Sequence, residues 1–231
     1  AYLGTGDSLS IIETGLENLE YRGYDSAGIA LAGAEGLAIY KQSGRIGDLS
    51  LPSGSESSCG VGHTRWSTHG EPTDENAHPH TDCEGTIAVV HNGIISNYRE
   101  LRAELGGHIF TSETDTEVVP HLVEEERRAG HDLRTAVARA VDRLEGSFAI
   151  AVTEAGSEEL VGARQDSPLV VGHGEEGSFL ASDVTAFAEH TRRVTYLEDG
   201  DIAHLTPDEV AIFNDGQRVD RPVNTIDWEP E

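Results

Sequence analysis

The stretch SAGIALAGAEGLAIYKQ, residues 26–42, contains two apolar runs separated by the short turn sequence GAEG. Two such runs joined by a glycine-containing turn are typical of a β-hairpin, whose strands are antiparallel. Later apolar runs are also short and are punctuated by turns such as EDGD (198–201) and NDGQ (214–217). Hairpins therefore dominate over βαβ units, and the sequence predicts a mixed α/β chain with a mainly antiparallel sheet system covered by helices.

A helix is predicted directly before this hairpin. The segment DSLSIIETGLENLEYRG, residues 7–23, has apolar residues at helical spacing, Asp7 or Ser8 as its N-cap and Gly23 as its stop. Three more helices are predicted in the middle of the chain, within residues 97–105, 114–130 and 131–146. The remaining strands are predicted at residues 59–66, 86–93, 147–153, 159–164, 167–173, 178–182, 192–198, 201–206 and 209–214.

Composition narrows the class of protein. The 231 residues are 37% hydrophobic, and 42 acidic residues against 16 basic ones give a formal charge of −26, which argues against nucleic acid or a membrane surface as a partner. Lys41 is the only lysine, and such an acidic surface is typical of adaptation to high salt, with an ordinary acidic enzyme as the alternative. The sequence has neither a long apolar run nor a secretory signal, so we expect a cytoplasmic protein.

Polar residues suited to chemistry follow two predicted strands. Arg65 offers a rigid fork of N–H donors for a carboxylate, and Thr68 and His69 add uncharged donors beside it. Asn92 and Gly93 lie on a predicted strand-to-loop turn, where the Asn92 amide and the Gly93 N–H can converge on one developing oxyanion. Their chemistry suits an acyl substrate that carries a carboxylate.

Asp115 precedes a predicted helix, where it is suited to hold a ligand ammonium. Each of these residues has a plainer alternative: a surface ion pair for Arg65, a type I′ turn for Asn92 and Gly93, and an N-cap for Asp115. Taken together, however, they describe a pocket for an α-amino acid whose side-chain carbonyl is attacked. This combination predicts a glutamine-hydrolysing site.

The sequence predicts no metal site. His69, His78 and His80 lie close together, but no HxxxH pattern or carboxylate at matching spacing supports metal binding, and His63 is expected to pack. The two cysteines form no CxxC pair and have no metal-ligand spacing, so we expect both to be reduced and inert.

Five motifs, in order and at the right spacing, resemble the glutaminase domain of the glutamine–fructose-6-phosphate aminotransferases, which are class II glutamine amidotransferases. The resemblance covers residues 1–231 and implies one glutaminase domain. It also implies an α+β fold, the four-layer αββα sandwich of the N-terminal nucleophile hydrolases, with two stacked, mainly antiparallel sheets between helical layers. The motifs are YRGYDSAG (21–28), GHTRWSTHGEP (62–72), NAHPH (76–80), VVHNGIISN (89–97) and SETDTE (112–117).

The same resemblance implies a role for each candidate residue. Arg65 matches the arginine that binds the glutamine carboxylate, and Asp115 matches the acid that binds its α-amino group. Asn92 and Gly93 match the oxyanion hole. Trp66 matches a tryptophan of the loop that covers the substrate, with a ring packed on the core as the alternative. Other contacts to glutamine are implied for Thr68 and His69, and residues 70–80 are expected to be scaffold.

The sequence departs from the family at its start. The family begins with a cysteine in a Cys-Gly-Ile stretch, whose thiolate attacks the glutamine amide while its own α-amine acts as the base. This sequence begins AYLGTGDS, and Ala1 matches about the fifth residue of the family. We expect the nucleophile and its three followers to be missing through truncation, which leaves residues 1–231 inactive. Cys59 is no substitute, since it lies inside a predicted strand.

The resemblance also implies partners. In the family, a stretch like TIDWEPE (225–231) leads into a sugar isomerase domain, which uses the ammonia to convert fructose 6-phosphate to glucosamine 6-phosphate, and the full-length enzyme is expected to be a homo-oligomer. L-glutamine is the implied substrate, and no cofactor is implied. Two alternatives stay open: the glutaminase domain of another class II amidotransferase, of the purine-pathway phosphoribosyl or asparagine-forming type, and a non-catalytic glutamine-binding domain.

Overall fold

The strands form two antiparallel sheets in a computed structural model that describes residues 1–67 and 70–227. The helices are α1 (Ser8–Glu17), α2 (Tyr98–Glu104), α3 (Val118–Arg128) and α4 (Leu133–Val141). The strands are β1 (Tyr2–Gly4), β2 (Ser26–Gly33), β3 (Gly36–Ser43), β4 (Cys59–Arg65), β5 (His80–Thr81), β6 (Ile87–Ile95), β7 (Gly146–Glu154), β8 (Leu160–Gln165), β9 (Val170–His173), β10 (Gly177–Ala181), β11 (Arg193–Tyr196), β12 (Ile202–Leu205), β13 (Val210–Asn214), β14 (Gln217–Val219) and β15 (Asn224–Thr225).

The first sheet contains the predicted hairpin at one edge. Its order is β15-β11-β9-β10-β1-β4-β2-β3, and β2 pairs with β3 from Ser26 opposite Ser43 to Gly33 opposite Gly36. The second sheet has the order β14-β13-β12-β8-β7-β6-β5. Since neighbouring strands in both sheets run antiparallel, the prediction from the hairpin pattern is confirmed.

Three hydrophobic layers hold the sheets and helices together. Helix α1 packs on the first sheet through Leu9, Ile12 and Leu16, which are buried with residues of β2, β9 and β10. Helices α3 and α4 cover the second sheet. Small and branched side chains fill the space between the two sheets, including Val61, Ala88, Ala151, Leu169, Val171 and Ala203. The predicted four-layer αββα sandwich is thus confirmed.

The predicted N-cap of α1 is confirmed, but its predicted end is too late. The Asp7 carboxylate accepts a hydrogen bond from the Leu9 N–H at 3.1 Å. The α-helix ends at Glu17, and after Asn18 the chain continues as a 3₁₀ turn over Glu20–Arg22 before it reaches Gly23. Each helix within the described residues is too short or too polar to cross a lipid bilayer.

Strand β6 extends well beyond its neighbour β5. The two residues of β5 pair only with Ala88 and Val89 of β6, whereas β7 pairs with β6 along its whole length, as far as Ile95 opposite Gly146. Past Val89, therefore, one edge of β6 faces side chains and loops instead of another strand within the described residues. This edge positions the candidate site.

Candidate active site

A cavity of about 440 Å³ opens at this edge of β6, and the predicted site residues that the structure describes all line it. They are Arg65, Trp66, Asn92, Gly93 and Asp115. Thr68 and His69 lie outside the described residues. The fold thus brings together residues that are up to about 50 positions apart in the sequence, because β4, β6 and the segment before α3 meet here.

Asn92 and Gly93 lie inside a strand, so the prediction of a strand-to-loop turn was wrong. Their pairing with β7 is uninterrupted, with Asn92 opposite Ala149 and Gly93 opposite Phe148. Gly93 has φ of +123°, and a Cβ at this position would lie 2.1 Å from the Ser147 carbonyl oxygen. A glycine is required here by backbone conformation and by close packing against β7.

Backbone N–H groups on the open edge of β6 point towards the cavity. The His91 N–H donates to Nδ1 of His78 at 3.3 Å, and the Ile95 N–H donates to Oδ2 of Asp115 at 2.7 Å. Because alternate residues of a strand direct their N–H groups to the same side, the Gly93 N–H is directed to this edge as well. It is thus a donor at the cavity, between two donors that protein side chains already engage.

The side chain of Asn92 is oriented by His63. Nε2 of His63 lies 2.7 Å from Oδ1 of Asn92. Burial lowers the pKa of His63 to about 4, so the ring is neutral near pH 7 and carries one proton. Since the amide oxygen can only accept, that proton is on Nε2, and the Asn92 NH₂ group is directed away from His63. The sequence predicted only that His63 packs; strand alternation, which puts it on the same face as Arg65, could have indicated its role.

Arg65 is a buried cation at the end of β4, which is inconsistent with the alternative of a surface ion pair. Only 5% of the residue is exposed. Its guanidinium donates to Oγ of Ser67 at 3.3 Å and to the carbonyl oxygen of Glu71 at 3.4 Å, which holds the following loop against the strand end. Burial lowers the pKa of Arg65, and the nearby carboxylates of Asp115 and Asp25 act in the opposite direction. The site therefore pairs a buried cation with nearby anions.

Asp115 does not cap helix α3, so the N-cap alternative for this residue is wrong. The N-cap position is Glu117, and the Asp115 carboxylate turns back to accept the N–H of Ile95. Only 5% of Asp115 is exposed. The carboxylate is therefore fixed at the edge of β6, beside the Gly93 donor.

The segment that carries Asp115 is anchored on both sides. Oγ1 of Thr114 lies 2.9 Å from Nε2 of His80, and Oγ1 of Thr116 lies 2.8 Å from Nδ1 of His91. The Glu117 carboxylate accepts backbone N–H groups of residues 111 and 112 at 2.7 Å each, which closes the segment into a compact loop. The threonines on either side of Asp115 thus fix its position, because each contacts a buried histidine.

Trp66 lies at the rim of the cavity. Its side chain is largely solvent-exposed, at 58%, and its ring meets the edge of the Tyr24 ring with centroids 5.9 Å apart. The alternative of a ring packed on the core is therefore wrong. An exposed aromatic side chain beside Arg65 is consistent with a role in covering a ligand.

Four histidines form a cluster at the cavity, and three of them, His63, His78 and His91, line it. The rings of His63 and His78 are stacked at 4.2 Å, and His80 and His91 flank His78 at 4.9 and 6.5 Å. Burial lowers the pKa of each of the four, to about 4 for His63 and about 3 for His80. Neutral rings can act as donor and acceptor at once, and the two that lie within residues 70–80, His78 and His80, contact the His91 N–H and the Thr114 hydroxyl.

Lys41, the only lysine, holds the segment that carries two of these histidines. Its ammonium donates to the carbonyl oxygens of Ala77 at 2.9 Å and Pro79 at 3.1 Å, with that of Glu75 at 3.5 Å. Burial lowers the pKa of Lys41, while the nearby carboxylates, that of Glu117 first, act to raise it. No sequence pattern indicates this contact, because the lysine lies on β3, more than thirty residues earlier.

Of the two cysteines, both of which lie in described segments, neither lines the cavity. Cys59 is buried in β4, with Sγ 3.3 Å from Oγ1 of Thr153, and desolvation raises the pKa of its thiol to about 11. A thiol in this state is a poor nucleophile near neutral pH. Cys83 is exposed and lies in a different cluster.

Comparison with known protein sequences shows that this chain is similar to glutamine amidotransferases. A model of the glutamine amidotransferase domain family matches residues 63–189. A glutamine–fructose-6-phosphate aminotransferase (isomerizing) of Halobacterium salinarum is 60% identical over 228 residues, which are 98% of this chain and 38% of the relative. Its counterpart in Symbiobacterium thermophilum is 50% identical over 238 residues, covering 99% of this chain and 38% of that protein. The chain therefore spans well under half the length of these curated relatives.

Among solved structures, the glutamine phosphoribosylpyrophosphate amidotransferase of B. subtilis is similar in fold. The match has a TM-score of 0.79 and 26% sequence identity, and it covers 92% of this chain and 48% of that one. The B. subtilis enzyme thus shares the fold of this chain, but its sequence is less similar than those of the two aminotransferases.

The histidine cluster makes the fold sensitive to acid. An unfolded histidine has a pKa of about 6.5, and the four folded rings have lower values, so the unfolded chain binds more protons as the pH falls. The stability that these neutral histidines contribute is fully present above about pH 6.5, and it is lost as the pH falls towards their lower pKa values in the folded protein. We expect the free energy of unfolding to drop between about pH 7 and about pH 5, by up to about 1.4 kcal/mol per pH unit for each histidine. Urea unfolding across this range measures it.

His80→Gln is the informative variant, and His190→Gln, at an exposed position, is its control. We expect a shallower dependence of stability on pH in His80→Gln and an unchanged one in the control. Identical slopes in the wild type and His80→Gln would show that His80 titrates normally in the folded protein.

Proposed function

This chain belongs to the glutamine amidotransferase family, and from that premise we propose that residues 1–231 form a glutaminase domain that hydrolyses L-glutamine to glutamate and ammonia. One observation carries the proposal: a buried cation, a buried carboxylate and an edge-strand N–H donor line the same cavity. An α-amino acid presents a carboxylate and an ammonium, and its side-chain carbonyl becomes an oxyanion when it is attacked. The cavity offers a partner of the right charge to each group.

We assign the binding roles on this basis. Arg65 binds the α-carboxylate of glutamine, and Asp115 binds the α-ammonium through the carboxylate oxygen that the Ile95 N–H does not engage. Trp66 at the rim of the cavity covers the ligand, and from the family resemblance Thr68 and His69 add further contacts to glutamine. These assignments rest on the family resemblance and, for the described residues, on their place at the cavity.

Asn92 and Gly93 form the oxyanion hole in this proposal. The Asn92 NH₂ group and the Gly93 N–H are the two donors, and each is fixed in advance, one by His63 and the other by the pairing of β6 with β7. Donors that are already oriented require no reorganisation when charge develops in the transition state. This preorganisation favours the tetrahedral intermediate over the bound amide.

We further propose that the nucleophile is a cysteine on the N-terminal side of Ala1. Strand β1 leads into the cavity, and its pairing with β4 places Tyr2 opposite Gly60. If that antiparallel register continues, the fourth residue before Ala1 lies level with Arg65. Four extended residues span at most about 13 Å, so a thiol there can reach the substrate carbonyl.

The names and lengths of the two sequence relatives suggest how the ammonia is used. The two sequence relatives are named for amino transfer to fructose 6-phosphate, and both extend far beyond the region matched here. We infer that an attached isomerase domain receives the ammonia and makes glucosamine 6-phosphate. The second candidate, the glutaminase domain of a phosphoribosyl amidotransferase, has support from the solved structure at 26% identity but less from the sequence.

The carboxylate contact is tested by Arg65→Lys in the protein that carries its catalytic cysteine. A lysine cannot supply two parallel N–H donors, so we expect the KM for glutamine to rise with a smaller effect on kcat. The loss of a buried charged contact costs roughly 2–5 kcal/mol, or about 30-fold to several thousand-fold in affinity. Arg193→Lys, at an exposed position of β11, is the control. An unchanged KM would remove Arg65 from the binding site.

The oxyanion hole is tested by Asn92→Ala, with glutamate release as the assay. Because the donor acts mainly in the transition state, we expect kcat to fall by about 10²–10³ with little change in KM. His63→Leu should also lower kcat, through the lost orientation of the amide, and it should have no further effect in the Asn92→Ala background. A rise in KM without a fall in kcat would make Asn92 a ground-state contact.

The position of the nucleophile is tested by comparing residues 1–231 with a chain extended by Cys-Gly-Ile and one small apolar residue, processed to a free N-terminal cysteine. We expect turnover only in the extended chain, because removal of a hydrolase nucleophile costs about 10⁶ in kcat. Extension with Ser in place of Cys is the control for the restored strand. Equal activity of all three chains would place the nucleophile within residues 1–231.

A further inference from the structure

A second cluster of polar side chains lies away from the cavity, beside helix α3. It consists of Cys83, His108, His121 and Glu124, whose ligand-type atoms all lie within 4.8 Å of one another. Cys83 is in the turn between β5 and β6, and His108 is in the connection between α2 and α3. His121 and Glu124 are three residues apart on α3 and therefore share one face of it. Three separate segments thus meet at one point.

The distances in this cluster match those between the ligands of a tetrahedral metal ion. Nδ1 of His108 lies 3.2 Å from Nδ1 of His121, and Oε2 of Glu124 lies 3.0 and 3.3 Å from these two nitrogens. Sγ of Cys83 lies 3.5 and 3.6 Å from the same nitrogens. Zinc bonds of about 2.0–2.1 Å to nitrogen or oxygen and about 2.3 Å to sulfur give tetrahedral edges of roughly 3.3 and 3.6 Å.

The outer nitrogens of both imidazoles face carboxylates. Nε2 of His108 lies 3.5 Å from Oε1 of Glu125, and Nε2 of His121 lies 3.9 Å from Oε1 of Glu117. If both rings bind a cation through Nδ1, the single proton of each neutral ring lies on Nε2, on the side of these carboxylates. The Nδ1 lone pairs then converge with the Glu124 carboxylate, and this arrangement is repulsive unless a cation lies between them. Protonating both rings instead would place two positive charges about 3 Å apart.

We propose that Cys83, His108, His121 and Glu124 bind a zinc ion, which joins the β5–β6 turn to helix α3. A thiolate with two imidazoles and one carboxylate in a tetrahedral arrangement is a donor set that favours zinc. The other oxygen of Glu124 pairs with Arg128, and the outer nitrogens of both rings lie on the side of carboxylates, so charged neighbours surround the ligands as they do in metal sites. With all four ligands from the protein, the ion has a structural role.

The ligand set also has a route for metal entry. His121 and Glu124 are buried, at 0% and 3% exposed, whereas Cys83 is at the surface. The turn that holds Cys83 is fixed by Asp82, whose carboxylate accepts the N–H groups of Thr86 at 2.7 Å and Ile87 at 2.8 Å. An ion can therefore enter past the thiol into a site whose floor is already formed.

The test is metal analysis and cobalt substitution of the purified protein. After dialysis against metal-free buffer we expect about one zinc ion per chain, and cobalt replacement should give a thiolate-to-cobalt charge-transfer band. Cys83→Ser keeps the size of the side chain and lies at the surface, so it should fold, lose the charge-transfer band and bind zinc at least 100-fold more weakly, since loss of a partner outside the ligand shell already costs about 10–100-fold. A chelator should lower the Tm of the wild type and leave that of Cys83→Ser unchanged.

Glu124→Gln should weaken zinc binding to a similar degree, and Glu126→Gln is its matched control. Glu126 lies on the same helix but pairs with Arg139 at 2.6 Å and takes no part in the cluster. Wild-type protein with only trace metal and no cobalt spectrum would overturn the proposal and leave a network of hydrogen bonds. So would a cobalt spectrum that is identical in Cys83→Ser. Neither outcome bears on glutamine hydrolysis, because no step of the assay measures turnover.

Discussion

Beyond Val89, strand β6 has a sheet neighbour on one side only within the described residues, and the N–H groups on its other side must find partners elsewhere. His78 takes the first of these N–H groups and Asp115 takes the last. The middle one, that of Gly93, is directed to the cavity between them. A single constraint of backbone hydrogen bonding therefore explains why a histidine segment and the Asp115 segment both lie here, and why a donor for a ligand remains between them.

Much of the fold could be predicted from the sequence because its elements are short, regular and locally determined. The hairpin at residues 26–42, the Asp7 N-cap and the three central helices all depend on contacts between near neighbours in the chain. The late end predicted for α1 has a similar cause: its apolar spacing continues to Leu19, although the backbone changes to a 3₁₀ turn. The layered sandwich itself came from the family resemblance, since periodicity alone does not determine which sheets stack.

The site shows where local reasoning fails. An Asn-Gly pair is a strong turn signal, yet here the pair lies within a strand, because Gly93 is needed for a close approach to β7. Asp115 has the sequence position of a helix cap but bonds to β6 instead. The cluster of Cys83 with His108, His121 and Glu124 was missed because three segments contribute its ligands, and no spacing rule spans a turn, a connection and a helix. In each case a partner that is distant in the sequence decides the outcome.

Lys41 is the single lysine among the 16 lysine and arginine residues of the chain, and its contacts explain why a lysine suits this position. Its half-buried ammonium donates to the carbonyl oxygens of residues 75, 77 and 79, which replace part of its water shell. Arginine, with its planar and wider head group, cannot direct its donors at three carbonyls around one point as an ammonium does. Every other basic residue of the chain is arginine. The one lysine thus lies where three carbonyl oxygens converge on a single ammonium, a geometry that an arginine does not match.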